Sequence, residues 1–290
     1  MIIKDSWLLF TLTGGNEMEK TKITVIVDNI PDGDLKGEWG LCILVEYGNK
    51  KILLDAGSTE LFADNLEKLG FDISTIDYGV LSHAHYDHAN GIPRFFKDNT
   101  KAKFYMRESV APDCYHMKLF SKRYIGIPET LLEDYADRIE LLHGDYELCD
   151  GVYLIPHKTA RLEWIGRSEM MYRKSQTYTK PDDFSHEQSL VLDTDRGLVI
   201  LNSCCHGGAV NIINEVKRTF PDKHLHALIG GLHLFNKRDK VVERIAQDIS
   251  GTGIDQIYTG HCTKDRAYDI MKAEFGNRIH QLKVGMVMEF

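Results

Sequence analysis

The sequence has no apolar run long enough to cross a membrane. A membrane-spanning helix needs about 20 consecutive apolar residues, and no uncharged stretch in the 290 residues approaches that length. The apolar patch at residues 7–10 has neither a basic segment before it nor a small-residue cleavage site after it, so it does not match a secretory signal. These absences predict a protein with no membrane partner.

An excess of positive charge is also missing. Lys and Arg number 35 against 43 Asp and Glu, which gives a formal net charge of −8 and a pI near 5.9. A nucleic-acid surface needs basic residues to neutralise phosphates, so no nucleic-acid partner is expected. The segment 157–180 is a local exception, with six basic residues and two glutamates. It is either a solvated loop or a flap that binds an anionic substrate, in which case Arg161 and Arg167 are the substrate-binding residues.

The cysteines do not form a recognisable disulfide framework. There are six in a long chain, and two of them, Cys204 and Cys205, are adjacent and awkward to bridge. We therefore expect a reducing, cytoplasmic location.

The hydrophobic pattern predicts an α/β domain over residues 21–290. Short β-branched runs such as Lys22–Val27 and Leu41–Tyr47 are typical of strands, and later apolar runs alternate with helical ones such as Val210–Thr219. The order suits two sheets packed between outer helices. Residues 1–20 are interpreted as an N-terminal extension, with disorder as one option. The less regular segments 108–138 and 157–185 are candidate lids.

The most informative motif runs from Ser82 to His88 and reads Ser-His-Ala-His-Tyr-Asp-His. Three histidines and one aspartate within six positions offer nitrogen and oxygen donors that suit zinc, with Mn, Fe and Ni as alternatives. In an extended segment alternate side chains point the same way, so His83 and His85 can hold one ion. If the chain then enters a helix, Asp87 and His88 turn toward a second. The alternative, a polar surface loop, accounts poorly for this spacing.

The His-x-His-x-Asp-His pattern resembles the signature of the metallo-β-lactamase superfamily, as does the preceding Leu53-Leu54-Asp55-Ala56-Gly57. The resemblance spans about residues 23–290 and implies a four-layer αβ/βα sandwich with the site at the edge of two sheets. It also implies a dinuclear site, in which His83 and His85 bind one divalent ion and Asp87 and His88 the other.

Further segments resemble the branch of this superfamily that is named after a dihydropterin–ribofuranosylaminobenzene phosphate synthase. They are residues 82–91, 182–188 (Asp-Asp-Phe-Ser-His-Glu-Gln), 204–208 (Cys-Cys-His-Gly-Gly), 230–234 (Gly-Gly-Leu-His-Leu) and 259–263 (Thr-Gly-His-Cys-Thr).

The resemblance implies later ligands at strand ends, and His186, His206 and His261 occupy such places. The superfamily typically has a bridging aspartate where this chain reads Asn-Ser-Cys-Cys-His at 202–206, so no carboxylate is available. We predict that His206 takes this role, with Cys204 as the second candidate.

Three more residues complete the candidate site. Glu187 is a further possible ligand. His233 follows two glycines that let a ligand approach the backbone, which favours a contact with substrate. Asp55 is expected to orient a ligand histidine rather than to bind metal.

The predicted activity is hydrolysis of a small anionic ester or lactone, phosphate esters among them. A two-ion site makes water nucleophilic near neutral pH, and Asp87 is the predicted catalytic residue that takes or relays the proton. One alternative is the condensation of a dihydropterin with an aminobenzene ribotide phosphate, as the branch name implies. A second is a non-catalytic metal- or ligand-binding sensor. The sequence does not specify the oligomeric state.

Overall fold

The computed structural model describes residues 21–290, so the predicted N-terminal extension lies outside the described residues. The strands in chain order are β1 (Lys22–Val27), β2 (Cys42–Tyr47), β3 (Lys50–Leu54), β4 (Tyr78–Val80), β5 (Lys103–Arg107), β6 (Cys114–Lys118), β7 (Ser121–Tyr124), β8 (Ile139–Leu142), β9 (Tyr146–Cys149), β10 (Val152–Pro156), β11 (Met171–Lys174), β12 (Thr179–Pro181), β13 (Gln188–Thr194), β14 (Gly197–Leu201), β15 (Leu225–Ile229), β16 (Gln256–Thr259), β17 (Ile279–Gln281) and β18 (Val287–Glu289). The α-helices are α1 (Leu61–Lys68), α2 (Tyr86–Ala89), α3 (Ile92–Asp98), α4 (Leu131–Asp134), α5 (Glu163–Ser168), α6 (Ala209–Thr219), α7 (Asp239–Ser250) and α8 (Lys264–Phe275).

Two seven-stranded sheets form the centre of the domain. The first has the order β18-β1-β2-β3-β4-β5-β8 and the second the order β17-β16-β15-β14-β13-β10-β9. Each sheet is mixed. Strands β3, β4, β5 and β8 pair in parallel in the first, and β14, β15, β16 and β17 in the second.

The side-chain alternation of the strands explains the layering. In β3, Ile52 and Leu54 belong to the apolar core between the two sheets, whereas Leu53 points to the opposite face and packs with α1 and α3. Strand β14 alternates in the same way, since Val199 joins the core between the sheets and Ile200 packs with α6, α7 and α8. The result is the predicted four-layer sandwich, and the fold prediction is confirmed.

The two segments expected to be irregular instead contain paired strands. Strands β6 and β7 from the first segment and β11 and β12 from the second form one antiparallel sheet with the order β12-β11-β6-β7. These strands are short and largely polar or half-exposed, so their sequences lack the apolar alternation by which a strand is recognised. Pairing between the segments joins them into one structure.

The fold brings several strand ends to one edge of the sandwich. The carboxyl ends of parallel strands in a sheet meet at the same edge, and here β3, β4, β14, β15 and β16 lead directly into the loops that carry the candidate residues. Within residues 21–290 none of the helices has the length and apolar character needed to span a bilayer.

Candidate metal centre

The motif after β4 enters a helix at the predicted place but is not extended before it. The chain bends at His83 and Ala84, where the backbone N–H of His85 donates to the carbonyl of His83 at 3.0 Å, and Asp87 and His88 then lie in the short helix α2. All four predicted ligands of this motif are buried. The helix places Asp87 and His88 beside the His83–His85 pair, with the His88 ring 4.2 Å from that of His83, so the motif supplies two neighbouring donor groups.

The first donor group consists of three imidazoles. The ring centroids of His83, His85 and His206 form a nearly equilateral triangle with sides of 4.6, 4.7 and 4.8 Å. The Nε2 atoms of His83 and His206 approach to 3.3 Å. Ligands about 2.0–2.3 Å from a tetrahedral ion lie about 3.3–3.8 Å from one another, so the Nε2 atoms of His83 and His206 have the spacing of two ligands of one metal ion. His206 therefore lies with the His83–His85 pair, although it is 123 positions away from His83 in the sequence.

The second donor group consists of Asp87, His88 and His261. Oδ2 of Asp87 lies 3.5 Å from Nε2 of His261 and 3.8 Å from Nε2 of His88. The His88 and His261 rings are 5.1 Å apart and almost perpendicular. The structure thus brings His261 to the aspartate and histidine that the sequence assigns to a second ion.

Cys204 lies between the two groups. Its Sγ atom is 3.3 Å from Nε2 of His88, and it forms a close donor set with His83 and His206 as well as with His88 and His261. His206 belongs only to the first of these sets. Among the candidates for the missing bridging aspartate, Cys204 and not His206 has the central position.

Asp55 organises two of the histidines. Its Oδ2 atom accepts a hydrogen bond from Nδ1 of His88 at 2.7 Å and another from Oγ of Ser82, also at 2.7 Å. Because the Ser82 hydroxyl donates to Asp55, it accepts from Nδ1 of His83 at 2.8 Å. Both histidines therefore carry their proton on Nδ1, which leaves the Nε2 lone pairs directed into the site. This is the orienting role that the sequence predicts for Asp55.

His261 is oriented by residues that the sequence reasoning missed. Its Nδ1 atom lies 3.3 Å from Oδ1 of Asn29, and its backbone N–H donates to Oδ2 of Asp28 at 2.9 Å. Burial raises the pKa of Asp28 to about 6, although the nearby His261 and backbone N–H groups lower it. The available signal was the polar Asp-Asn pair directly after the buried strand β1, since β1 ends at the same edge as β3.

The hydrogen bonding and protonation of the donor nitrogens indicate whether a metal ion fits this site. Among the described residues, Nε2 of His85, Nε2 of His261 and Nδ1 of His206 are buried and have no hydrogen-bond partner. An unpaired buried polar atom costs about 1–3 kcal/mol, and two of these three atoms face the donor groups. Burial lowers the pKa of His85 to about 3, with a further lowering by His186. A neutral imidazole is the form that binds metal, so the residues fit one or two divalent ions.

His186 is placed differently from the other predicted ligands. Its Nδ1 atom accepts a hydrogen bond from the backbone N–H of Ala84 at 3.1 Å, and its Nε2 atom faces Oδ2 of Asp182 at 3.1 Å and Sγ of Cys114 at 3.6 Å. Because Nδ1 is an acceptor, the proton is on Nε2, and neither nitrogen has a free lone pair. His186 therefore holds the backbone at Ala84, and it also belongs to a close set of donor atoms with His85, Cys114 and Asp182.

The carboxylate of Glu187 also has hydrogen-bond partners within the protein. Its carboxylate accepts hydrogen bonds from the backbone N–H groups of His206 and Gly207, each at 2.9 Å, and contacts Nε2 of His157 at 2.5 Å. Nδ1 of His157 lies 3.0 Å from Glu215. Burial alone would lower the pKa of His157, but the two carboxylates outweigh it and raise that pKa to about 9. Glu187 thus holds the loop that carries His206, and His157 in turn holds Glu187.

An open cavity of about 570 Å³ lies over the two donor groups. Asp87, Cys204 and His233 are among its lining residues, together with an apolar wall that includes Trp39 and Phe235. These two rings meet edge to face at 5.7 Å. The cavity is large enough for a small-molecule substrate and gives it direct access to the candidate metal ligands.

The basic residues of the cavity are not those expected from the sequence. Arg161 and Arg167 are exposed and pack on either side of the Trp164 ring, 5.4 and 5.7 Å from its centroid, and neither lines the cavity. The lining cations are instead Lys118 and Arg123, on the β6–β7 hairpin, and Lys237.

The glycines before His233 also serve a different purpose. A Cβ atom at Gly230 would collide with the carbonyl oxygen of Asn202, and one at Gly231 with Sγ of Cys262. The glycines therefore let two segments of the protein approach each other rather than a ligand. They place His233, whose own φ is +51°, with its ring 4.4 Å from that of His206.

Comparison with known protein families agrees with this geometry. The family model described as the Metallo-beta-lactamase superfamily matches residues 39–198, which is more than half of the chain. The sequence is 26% identical over 271 residues to the 7,8-dihydropterin-6-methyl-4-(beta-D-ribofuranosyl)-aminobenzene-5'-phosphate synthase of Methanocaldococcus jannaschii, covering 87% of this chain and 90% of that protein. It is 27% identical over 253 residues to the uncharacterized protein MJ0448 of the same organism, covering 84% and 91%.

Solved structures show the same similarity. A crystal structure described as Tm1679, a metal-dependent hydrolase of the beta-lactamase superfamily, matches with a TM-score of 0.79 and 26% identity over 93% of this chain and 99% of that one. The metallo-beta-lactamase fold protein YhfI from Bacillus subtilis matches with a TM-score of 0.57 and 14% identity over 93% and 99%, which concerns the fold alone.

Proposed function

This chain belongs to the metallo-β-lactamase superfamily, and on that premise we propose that it is a metal-dependent hydrolase of small anionic esters or lactones, with phosphate-bearing esters as the preferred class. The observation that carries the proposal is the cluster of the His83, His85 and His206 imidazoles, of which His85 and His206 line an open cavity. A solvent-accessible ligand set is typical of catalytic rather than structural metal sites.

The ligand assignment follows from the donor groups. His83, His85 and His206 would hold one divalent ion, and Asp87, His88 and His261 a second. Cys204 stands nearest to both groups and would take the position of the bridging residue. Zinc is the preferred metal because imidazole, carboxylate and thiolate together suit its borderline softness. When bound, such ions supply Lewis acidity and make water nucleophilic near neutral pH.

The residues of the chain prepare this chemistry. Asp55 and Ser82 keep the Nε2 atoms of His88 and His83 unprotonated through fixed hydrogen bonds. Asp87 lines the cavity, where its carboxylate can accept a proton as the nucleophile forms. Lys118 and Arg123 provide positive charge for an anionic substrate group, and His233 offers a polar contact beside His206.

The test begins with metal analysis of the protein purified without added metal. A panel of phosphate esters and lactones is then assayed before chelation, after chelation and after metal is returned. We expect bound zinc or a related metal, turnover of at least one ester class, loss of turnover with the chelator and its recovery with metal. The matched variant, His83→Ala with His85→Ala, should lose metal and turnover together and keep its circular dichroism spectrum. Full metal content in this variant would refute the ligand assignment, and a parent protein without metal or turnover would refute the function.

A second candidate activity is a condensation like the one named for the M. jannaschii relative, which matches along 90% of its own length. The apolar cavity wall with Trp39 and Phe235 suits an aromatic substrate and favours this alternative. The two activities differ in their products. Release of an alcohol or phosphate from a single substrate indicates hydrolysis, whereas the synthase reaction consumes a dihydropterin and an aminobenzene ribotide phosphate together.

A further inference from the structure

A second cavity of about 230 Å³ adjoins the one over the metal centre. His206, His233, Glu169 and Lys237 line both cavities, so these four residues lie where the two cavities meet. The remainder of the second cavity lies among α5, α6, α7 and the loop after β15. Its apolar lining residues are Ile165, Val210, Leu232, Leu234 and Ile245.

Most polar residues of the second cavity lie where it meets the first, and Asn211 on α6 is a further polar lining residue. Where the cavities meet, Lys237 forms an ion pair with the buried Glu169, and Asn236 donates a hydrogen bond to Oε2 of the same carboxylate at 3.1 Å. Because these partners compensate the charge of Glu169, an uncharged ligand group can lie beside this carboxylate. Half-buried Ile165, Val210 and Ile245 leave apolar surface open along the cavity.

We propose that this second cavity binds a short, uncharged apolar arm of the substrate while the anionic reacting group sits at the metal centre. The inference rests on the proposed function, because it needs the reacting group to lie beside His206 and His233. A water molecule takes up about 30 Å³ in the liquid, so 230 Å³ has room for a short alkyl chain or one ring and excludes a polymer. The substrate class is therefore a small ester with one anionic end and one apolar end.

Straight-chain alkylphosphonates, from methyl to octyl, test this without requiring turnover. Their binding to the metal-loaded protein is measured by calorimetry. Burial of one methylene contributes about 0.8 kcal/mol, so affinity should rise about fourfold per methylene over the first few carbons and then level off when the cavity is full. Equal affinity for all chain lengths would refute binding of an apolar arm in the second cavity, but it would not contradict the proposed metal centre. Failure of methylphosphonate itself to bind would overturn the proposed function as well.

A matched pair of variants localises the effect. Val210→Phe puts a larger side chain into the second cavity, whereas Val241→Phe changes an exposed residue of α7 that does not line it. In Val210→Phe the affinity for pentylphosphonate should fall to that for methylphosphonate, which itself stays unchanged and shows that the site is folded. Val241→Phe should behave as the parent. Ile245→Phe is the second filling variant if Val210→Phe does not fold. Retention of the full chain-length gain in a folded filling variant would refute the assignment.

Discussion

Nδ1 of His88 donates a hydrogen bond to Oδ2 of Asp55 over 2.7 Å, and both side chains are fully buried. The same oxygen accepts the Ser82 hydroxyl, which in turn accepts from His83. One carboxylate therefore sets the tautomer of one histidine in each donor group. Asp55 has a φ of +62°, a conformation that aspartate and asparagine tolerate better than most residues.

Replacement of Asp55 by Asn should weaken metal binding while the fold is kept. Asparagine tolerates the same backbone conformation, but the neutral amide gives a weaker acceptor for His88. Loss of such an outer partner typically lowers metal affinity about 10- to 100-fold. Competition with a chromophoric chelator measures the change. Asp239→Asn, at an exposed ion pair with Arg266, is the control, and equal affinities in the two variants would contradict the role of Asp55.

The central position of Cys204 predicts different effects for three single variants. Cys204→Ala should weaken both ions, because Sγ lies near both donor groups. His206→Ala should weaken only the ion at His83 and His85, and His261→Ala only the ion at Asp87 and His88.

Stepwise cobalt titration distinguishes these outcomes. In the parent, coordination of cobalt by the Cys204 thiolate should give a charge-transfer absorption, which Cys204→Ala should abolish and the two histidine variants should retain. If His206→Ala affects both ions and Cys204→Ala affects neither, the bridging role belongs to His206, as the sequence predicts.

Substrate charge should be recognised by the β6–β7 hairpin and not by the segment around Trp164. Lys118→Gln with Arg123→Gln removes two of the cavity's cations. Hydrogen bonds to charged groups contribute about 1.5–3 kcal/mol, so KM for an anionic ester should rise by at least about tenfold and KM for a neutral ester should change little. Arg161→Gln with Arg167→Gln is the matched control and should leave both constants unchanged. If instead the Arg161 and Arg167 substitutions raise KM for the anionic ester and the Lys118 and Arg123 substitutions do not, the segment 157–180 is the anion-binding flap.

The buried His157 predicts a specific pH dependence of stability. Burial would lower its pKa from the ordinary value of 6.5, but Glu187 and Glu215 outweigh burial and raise the folded-state pKa to about 9. The stabilisation is therefore fully present below about pH 6.5, declines as the pH rises, and is lost once the pH passes about 9.

Urea unfolding between pH 6 and pH 10 tests this dependence. The parent should lose on the order of 3 kcal/mol over this range from His157, and His157→Gln should be less stable at pH 6 and show a smaller slope. An identical slope in parent and variant would exclude a charged His157.

Sequence patterns predicted most of the sandwich core. Lys22–Val27 was expected with the bounds that the structure has, because its run of apolar and β-branched residues is typical of a strand. The paired strands of the small third sheet were not expected, since each is short and largely polar or half-exposed, and the two hairpins are joined only by β6 and β11, whose paired residues are at least 55 positions apart. Their residues carry no local signal of that pairing.

The features of the candidate site likewise divide into those that the sequence predicted and those that only the tertiary structure showed. The sequence by itself determined the four donors from His83 to His88, because a polar surface loop rarely places three histidines and an aspartate within six positions. It also brought His206, His261 and Cys204 into consideration as donors at strand ends. Tertiary structure alone decided that Cys204 lies between the donor groups, that Nδ1 of His186 is used by the backbone of Ala84, and which cations line the cavity. Those outcomes depend on contacts between residues about 100 positions apart, such as Ala84 with His186 and His88 with Cys204, and only the packing of the two sheets brings such residues together.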